Sequence, residues 1–178
     1  MRRARPIVLA LALVAELPGC AAMRVNEHPV CDQRPPTVLM AESVPNATLI
    51  PCVRSLPLAW AFSAFDARQG VSEFSLDSDA GGAGALLVRF TGTCHPEGTQ
   101  SGTDEPGTRL IERRTSRDPY TATWSYLFSG GCVRYSIHLA AGSPVDRLVD
   151  QIRSGVSFIG RDRVLEGLSG SELPPVAA

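Results

Sequence analysis

Residues 120–139 most strongly constrain the fold, because two stretches there alternate apolar and polar residues around a Ser-Gly-Gly turn. Successive side chains of an extended strand point to opposite faces, so this alternation indicates strands with one buried face. Two such runs around a short glycine-containing turn predict a β-hairpin. Its apolar row also resembles the lining of a carbohydrate or peptide groove, but core is favoured. The row comprises Tyr120, Ala122, Trp124, Tyr126, Phe128, Val133, Tyr135, Ile137 and Leu139.

Further elements are predicted on both sides of this hairpin. Residues 71–79 and 84–92 alternate in the same way and are expected to be strands. Residues 143–155 change to helical spacing, with Ser143 as the expected N-cap and Pro144 at the first helical position. A short strand and a short helix are expected to follow, at 156–160 and 161–168. The predicted fold class is α+β, an antiparallel sheet of four or five strands with one or two C-terminal helices packed on one face.

Three segments have less regular patterns. Residues 31–57 contain five prolines and are expected to be an irregular layer. Residues 58–66 place Leu58, Phe62 and Phe65 at helical spacing, which favours a helix, although Trp60 between them also permits a strand. The third segment, 94–108, is expected to be a long loop that is either disordered or functional.

The N-terminus has the organisation of an export signal. Arginines precede an apolar run from Ile7 to Ala15, and these nine residues are fewer than the roughly 20 of a spanning helix. The sequence Leu17-Pro18-Gly19-Cys20 resembles the lipobox of bacterial prolipoproteins. The resemblance implies cleavage after Gly19 and a diacylglyceryl group on the Cys20 thiol. The mature chain would then be lipid-anchored to the extracytoplasmic side of the cell membrane, with the bilayer as its first partner.

The cysteine count supports this interpretation. The chain has five cysteines, at positions 20, 31, 52, 94 and 132. If Cys20 carries lipid, an even set remains, which in an oxidising compartment indicates two disulfides. The favoured pairs are Cys31 with Cys52 and Cys94 with Cys132, although four cysteines allow three connectivities. Ordinary secretion, with cleavage among the small residues 19–22, and an uncleaved signal anchor are the alternatives.

These features divide the chain into four parts. Residues 1–19 are the predicted lipoprotein signal peptide, 20–30 a lipidated tether, 31–168 a single extracytoplasmic domain, and 169–178 a flexible tail. The mature chain would carry 14 arginines and 17 acidic residues of interspersed sign. Nucleic-acid binding needs a clustered basic face, so no nucleic-acid partner is expected. All 17 basic residues are arginines, and chemistry that needs a lysine amine is therefore excluded.

No catalytic, cofactor or metal site is predicted. Cys94-His95 would place a thiol beside a base, but adjacent residues of an extended strand face opposite ways and Cys94 is expected to be in a disulfide. His28 and Cys31 have a ligand-like spacing but lack a second pair. Ser157 does not fit the nucleophile-elbow motif and is interpreted as structural. His138, on the Arg134/Ser136 face of its strand, is interpreted as a surface residue.

Two functions are therefore expected as alternatives. The first is a non-enzymatic binding or interaction domain of the cell envelope, whose partner is an envelope protein or a cell-wall ligand. The second is a cell-envelope hydrolase that uses carboxylates or an unrecognised Ser/His arrangement. Glu97, Asp104 and Glu105 in the 94–108 loop are the carboxylates that could act on sugars. A deep pocket with convergent acids would favour the hydrolase.

Overall fold

The computed structural model describes residues 27–169. The predicted signal peptide, the predicted lipidation site Cys20, most of the predicted tether and residues 170–178 of the predicted tail lie outside the described residues. In the described part of the chain, the N-terminal segment joins the fold at Pro29 and Val30. The backbone carbonyl of Pro29 accepts a hydrogen bond from the Val53 amide at 2.6 Å, and Val30 forms a parallel bridge with Val53.

The largest unit is a seven-stranded antiparallel sheet with the order β2-β3-β4-β8-β7-β6-β5. Two meanders, β2 to β4 and β5 to β8, meet where β4 pairs with β8. This pairing places the last strand of the second meander beside the last strand of the first. The strands are β2 Trp60–Arg68, β3 Val71–Ser78, β4 Gly82–Thr91, β5 Thr99–Ser101, β6 Arg109–Arg117, β7 Tyr120–Phe128 and β8 Gly131–Leu139.

A second layer covers one face of this sheet, which is called the covered face below. It contains a two-stranded antiparallel sheet and three helices. Leu148 and Ile152 of the second helix are 2% exposed, and Val164 of the third is fully buried. The elements of this layer are β1 Leu49–Val53, β9 Val156–Gly160, α1 Pro35–Ser43, α2 Val145–Gly155 and α3 Arg161–Ser169.

Alternate residues of the central strands form the core against this layer. The predicted apolar rows are confirmed: Leu86, Val88, Phe90, Val133 and Ile137 are all fully buried on the covered face. Burying such side chains stabilises the fold by roughly 1.5 to 3 kcal/mol each. The intervening residues of the same strands point to the opposite face, which is called the open face below. Only one face of the sheet is thus used to build the core.

The predicted helix at 58–66 is wrong, because Trp60–Arg68 forms strand β2. The strand contains a bulge at Ser63, since Phe62 pairs with Leu76 while the next pair in register is Ala64 with Ser75. A bulge inserts one extra residue and reverses the alternation beyond it. Phe62 and Phe65 therefore lie on the same face although they are three residues apart. The bulge thus reproduces the spacing of a helix.

The irregular layer predicted for 31–57 is also partly wrong, since α1 and β1 lie within it. Pro35 and Pro36 begin α1 instead of preventing it, because the first turn of a helix does not need their missing amide protons. At α2 the N-cap is Pro144, not Ser143. The Ser143 hydroxyl instead donates to the carbonyls of Ala80 and Ala140.

The strand count of four or five is too low. Strand β6 was not predicted because its sequence is mostly charged and only Leu110 is buried in it. Strand β6 nevertheless joins the sheet, because it pairs with β7 in antiparallel register along its length. Residues 99–101 of the predicted loop at 94–108 form β5 on the outer side of β6. The C-terminal strand β9 and helices α2 and α3 agree with the sequence prediction.

Alanine substitutions at two glycines, Gly130 and Gly84, test how closely the β7–β8 turn approaches Asn46. A Cβ atom on Gly130 would lie 1.7 Å from the Asn46 carbonyl oxygen, whereas one on Gly84 would meet nothing within 4 Å. Both glycines have positive φ, at 70° and 61°. Gly84→Ala should therefore lower the free energy of unfolding only by the cost of placing an alanine in the left-handed conformation, about 1 to 2 kcal/mol. Gly130→Ala should lower the free energy of unfolding by about 2 kcal/mol more, because the backbone must shift.

Urea denaturation of the two variants measures this difference. Equal losses for Gly130→Ala and Gly84→Ala would contradict the close approach of the turn to Asn46.

Candidate ligand groove on the open face

Two arginines lie directly opposite each other on the open face. Arg89 of β4 pairs in register with Arg134 of β8, and Arg134 pairs with Ser125 of β7. Neighbouring strands are about 4.8 Å apart, so these three residues form a row about 10 Å long across the centre of the sheet. Like charges directly opposite on a sheet are destabilising. The row is therefore a feature that strand pairing alone does not favour.

A loop held by a disulfide runs over this row. The chain leaves β4 at Thr91, and Cys94 bonds to Cys132 at the start of β8, with their Cα atoms 5.8 Å apart. Cys132 is directly opposite Thr91 in the sheet. A disulfide of this kind stabilises a fold by about 2 to 4 kcal/mol. Here it also fixes residues 92–98 at the open face.

Two cavities lie beside this loop, and Arg134 lines both. The first has a volume of about 280 Å³ and is lined by residues 95–97 of the loop together with Arg113, Thr123, Ser125 and Arg134. The second has a volume of about 340 Å³. It is lined by Arg89, Thr91, Thr93, Cys94 and Arg134. We call the two cavities together the Arg134 groove.

The arginines of the groove differ in their ion pairs. Arg113 Nη1 is 2.5 Å from Glu97 Oε2, and Arg89 Nη1 is 3.4 Å from Glu73 Oε2. Arg134 has no carboxylate partner among residues 27–169. Its Nε atom is buried and also lacks a hydrogen-bond acceptor there. One guanidinium charge in the groove is consequently not neutralised by a described side chain.

Ser125 is the second unsatisfied group of the groove. The residue is fully buried, and its Oγ has no hydrogen-bond partner within the described part of the chain. Buried polar side chains are hydrogen-bonded in the large majority of cases, and a missing bond costs about 1 to 3 kcal/mol. Ser125 and Arg134 are directly opposite in register. Two buried polar groups without partners thus adjoin in one site.

A smaller cleft lies on the covered side of the sheet. It has a volume of about 50 Å³ and is lined by Asp104, Glu105, Tyr126, Tyr135 and Arg153, among others. Burial raises the pKa of Tyr126 to about 12, and that of Tyr135 well above its usual value. The Tyr135 hydroxyl has no hydrogen-bond partner among the described residues. Ligand sites usually measure about 300 to 1,000 Å³, so this cleft is too small for a sugar ring.

The three predicted acidic residues do not share one pocket, because Asp104 and Glu105 line the small cleft and Glu97 lines the groove. Glu105 accepts a 2.8 Å hydrogen bond from Ser157, whose hydroxyl also accepts one from Arg54 at 2.7 Å. Glu97 is on the open face, where it pairs with Arg113. The sheet therefore separates Glu97 from Asp104 and Glu105, and Ser157 has a structural role in a polar network.

The four cysteines of the domain pair as the sequence analysis favours. Cys31 bonds to Cys52, with a Cα separation of 4.9 Å, and Cys94 bonds to Cys132. The first bond ties the segment before α1 to strand β1. No cluster of three potential metal ligands occurs within residues 27–169. The His28 ring lies 6.2 Å from the Phe62 ring, and His138 is exposed on β8.

Arg89, Arg134 and Ser125 were not predicted as a group from the sequence. Each occupies a polar position of a predicted strand, so the alternation indicates that each faces away from the core. Their adjacency depends on the pairing of β4 with β8, which joins strands 40 residues apart in the sequence. Nothing in the local pattern specifies that partner.

Comparison with known proteins finds no matching family model, no matching curated protein and no matching solved structure. In the described part of the chain, no helix is long and apolar enough to cross a bilayer. The side chains of the Arg134 groove are accordingly the basis for inferring a function, since function depends on the site.

Replacing Arg134 should stabilise the unliganded domain. Arg134→Thr removes both the opposition to Arg89 and a buried unsatisfied Nε, and it introduces a β-branched residue into a strand. The free energy of unfolding should rise by about 0.5 to 1.5 kcal/mol. Arg109→Thr is the matched control, because Arg109 is exposed on the open face opposite Leu127. It should change the stability by less than about 0.5 kcal/mol.

Thermal and urea unfolding of both variants give these values. A loss of stability in Arg134→Thr larger than that in Arg109→Thr would show that Arg134 supports the fold instead of serving a ligand.

Proposed function

We propose that this chain is a lipid-anchored, extracytoplasmic lipoprotein whose domain binds a ligand of the cell envelope in the Arg134 groove. The observation that carries this proposal is the groove itself, with cavities of about 280 and 340 Å³ around Arg134. Small-molecule sites measure about 300 to 1,000 Å³ and contain a few placed polar groups, so these cavities are close to the lower end of that range. The unpartnered Arg134 and Ser125 are such groups.

The anchor is supported by the cysteines. Cys31, Cys52, Cys94 and Cys132 are consumed by two disulfides, which leaves Cys20 as the remaining thiol of the sequence. Disulfides persist in oxidising compartments outside the cytosol. The position of Cys20 after an apolar run and directly after Gly19 agrees with lipidation of this thiol. Two or three acyl chains would anchor the domain stably, since single chains bind only marginally.

A binding role agrees better with the described residues than hydrolysis does. The acidic residues of the 94–108 loop lie on both sides of the sheet, and the cleft that contains Asp104 and Glu105 has a volume of only about 50 Å³. A glycosidase needs two carboxyl groups that flank one scissile bond, about 5 to 9.5 Å apart. The groove has one carboxylate, that of Glu97, which is paired with Arg113. Its other polar side chains carry guanidinium, hydroxyl and imidazole groups, which can bind and orient a ligand.

Intact mass spectrometry of the exported protein tests the anchor. The mature chain should begin at Cys20 and carry the mass of a diacylglyceryl group, with or without an amide-linked acyl chain. Cys20→Ala should abolish both the lipid mass and cleavage after Gly19, whereas Cys31→Ala, which removes a disulfide partner, should leave the lipid in place. A wild-type chain that begins at Ala22 or Met23 without lipid would refute the anchor.

A further inference from the structure

We infer that the Arg134 groove binds an oxyanion, a carboxylate or a phosphate, with Arg134 as the principal contact. The inference rests on the proposed function, because it names the chemical class of the ligand of that groove. The anion that we assign to the site is a soluble or wall-borne one and not a headgroup of the anchoring bilayer.

The charges of the groove support an anionic ligand. Three arginines face two glutamates, and both glutamates are engaged, Glu97 with Arg113 and Glu73 with Arg89. Arg134 is therefore the excess positive charge among the described side chains of the site. A guanidinium has only donors, arranged in a planar fork that fits two oxygens of one carboxylate or phosphate. A bound oxyanion would also offset the repulsion between the guanidinium groups of Arg89 and Arg134, which are directly opposite in register.

The neutral groups of the groove support the same class of ligand. Ser125 and Thr123 contribute hydroxyl donors from β7, and His95 contributes a ring N–H from the loop. The Ser125 hydroxyl borders the groove and has no partner within residues 27–169, so a small shift of the neighbouring side chains would let it donate to a ligand oxygen without breaking another hydrogen bond. The row from Arg89 to Ser125 spans about 10 Å. A small dicarboxylate can place one carboxylate on Arg134 and still lie within this row.

The position of the tether indicates the source of the anion. The chain joins the fold at Pro29 and Val30, which contact β1 in the layer on the covered face. The groove is on the open face, so the thickness of the sheet separates it from Pro29 and Val30, where the tether ends and joins the fold. For a bilayer on the tether side of the domain, the headgroups and the groove would lie on opposite sides of the sheet. An anion in the surrounding space would reach the groove directly.

The binding experiment uses the mature chain, residues 20–178, in zwitterionic detergent. Succinate and inorganic phosphate are titrated while the backbone amide resonances of residues 123–134 and of the 92–98 loop are followed by NMR. At least one of the two anions should shift these resonances saturably. Arg134→Gln should weaken binding at least tenfold, since the charge-assisted contact of the guanidinium with the anion is lost. Arg134→Lys should retain intermediate affinity, because the charge stays while the fork is lost.

The matched control is Arg147→Gln, which removes the same charge from the exposed surface of α2 in the covering layer. Its affinity should stay within twofold of wild type. Equal weakening by Arg147→Gln and Arg134→Gln would overturn the inference, because the attraction would then be a general effect of net charge. The melting temperatures of the Arg134 variants are measured as a folding control. If they equal or exceed that of the wild type, weaker binding is not caused by unfolding.

Succinamide, the neutral analogue of succinate, separates the failure of the inference from the failure of the proposed function. If succinamide and succinate shift the groove resonances equally, the groove binds ligands but not through charge, and only the oxyanion inference is overturned. If neither succinate, phosphate nor succinamide shifts them, both are overturned. Binding to anionic phosphatidylglycerol vesicles that is lost in Arg134→Gln, without any response to succinate or phosphate, would overturn the assignment to a free anion.

Discussion

The seven-stranded sheet buries only one of its faces, and the rest of the structure depends on this one-sided burial. Alternate residues of β4, β7 and β8 enter the core against α2 and the two-stranded sheet. The intervening residues of the same strands are therefore released to the open face. Because the side-chain period of a strand is two, neither set can change without the other. Arg89 and Arg134 face outward for the same reason that Val88, Val133 and Tyr135 face inward.

The two disulfides each tie an irregular segment of the chain to a strand of this arrangement. Cys31–Cys52 holds the segment before α1 to β1 in the covering layer. Cys94–Cys132 holds a polar loop to the open face, where few apolar contacts could retain it. The Arg134 groove lies between that loop and the strands. Its polar residues are thus positioned by a covalent bond and by strand register, which require no apolar packing on the open face itself.

Much of the fold could be predicted from local patterns, and the errors have particular physical causes. The hairpin at 120–139 and helix α2 have uninterrupted periods, so their buried faces were predicted correctly. In β2 the bulge at Ser63 gives Phe62 and Phe65 a helical spacing. At α1, Pro35 and Pro36 occur at the first turn, where prolines are tolerated. Both of these errors arise where a local signal has two structural solutions.

The groove was less predictable because it depends on tertiary pairing. Polar residues at alternate positions indicate which face they occupy but not which strand lies beside them. The partnership of β4 with β8 brings Arg89 next to Arg134, and the Cys94–Cys132 bond brings His95 to the same place. Of these, only the disulfide could be favoured from the sequence.

One-sided burial is tested most directly by a scan of aspartate substitutions along β8, with the free energy of unfolding as the readout. The substitutions at Val133, Tyr135 and Ile137 should each cost several kcal/mol, since an unpaired charge would be buried. At Ser136 and Arg134 the same substitution should cost less than about 1 kcal/mol, because these residues face the open side. An equal loss of the free energy of unfolding at all five positions would contradict burial of only one face of the sheet.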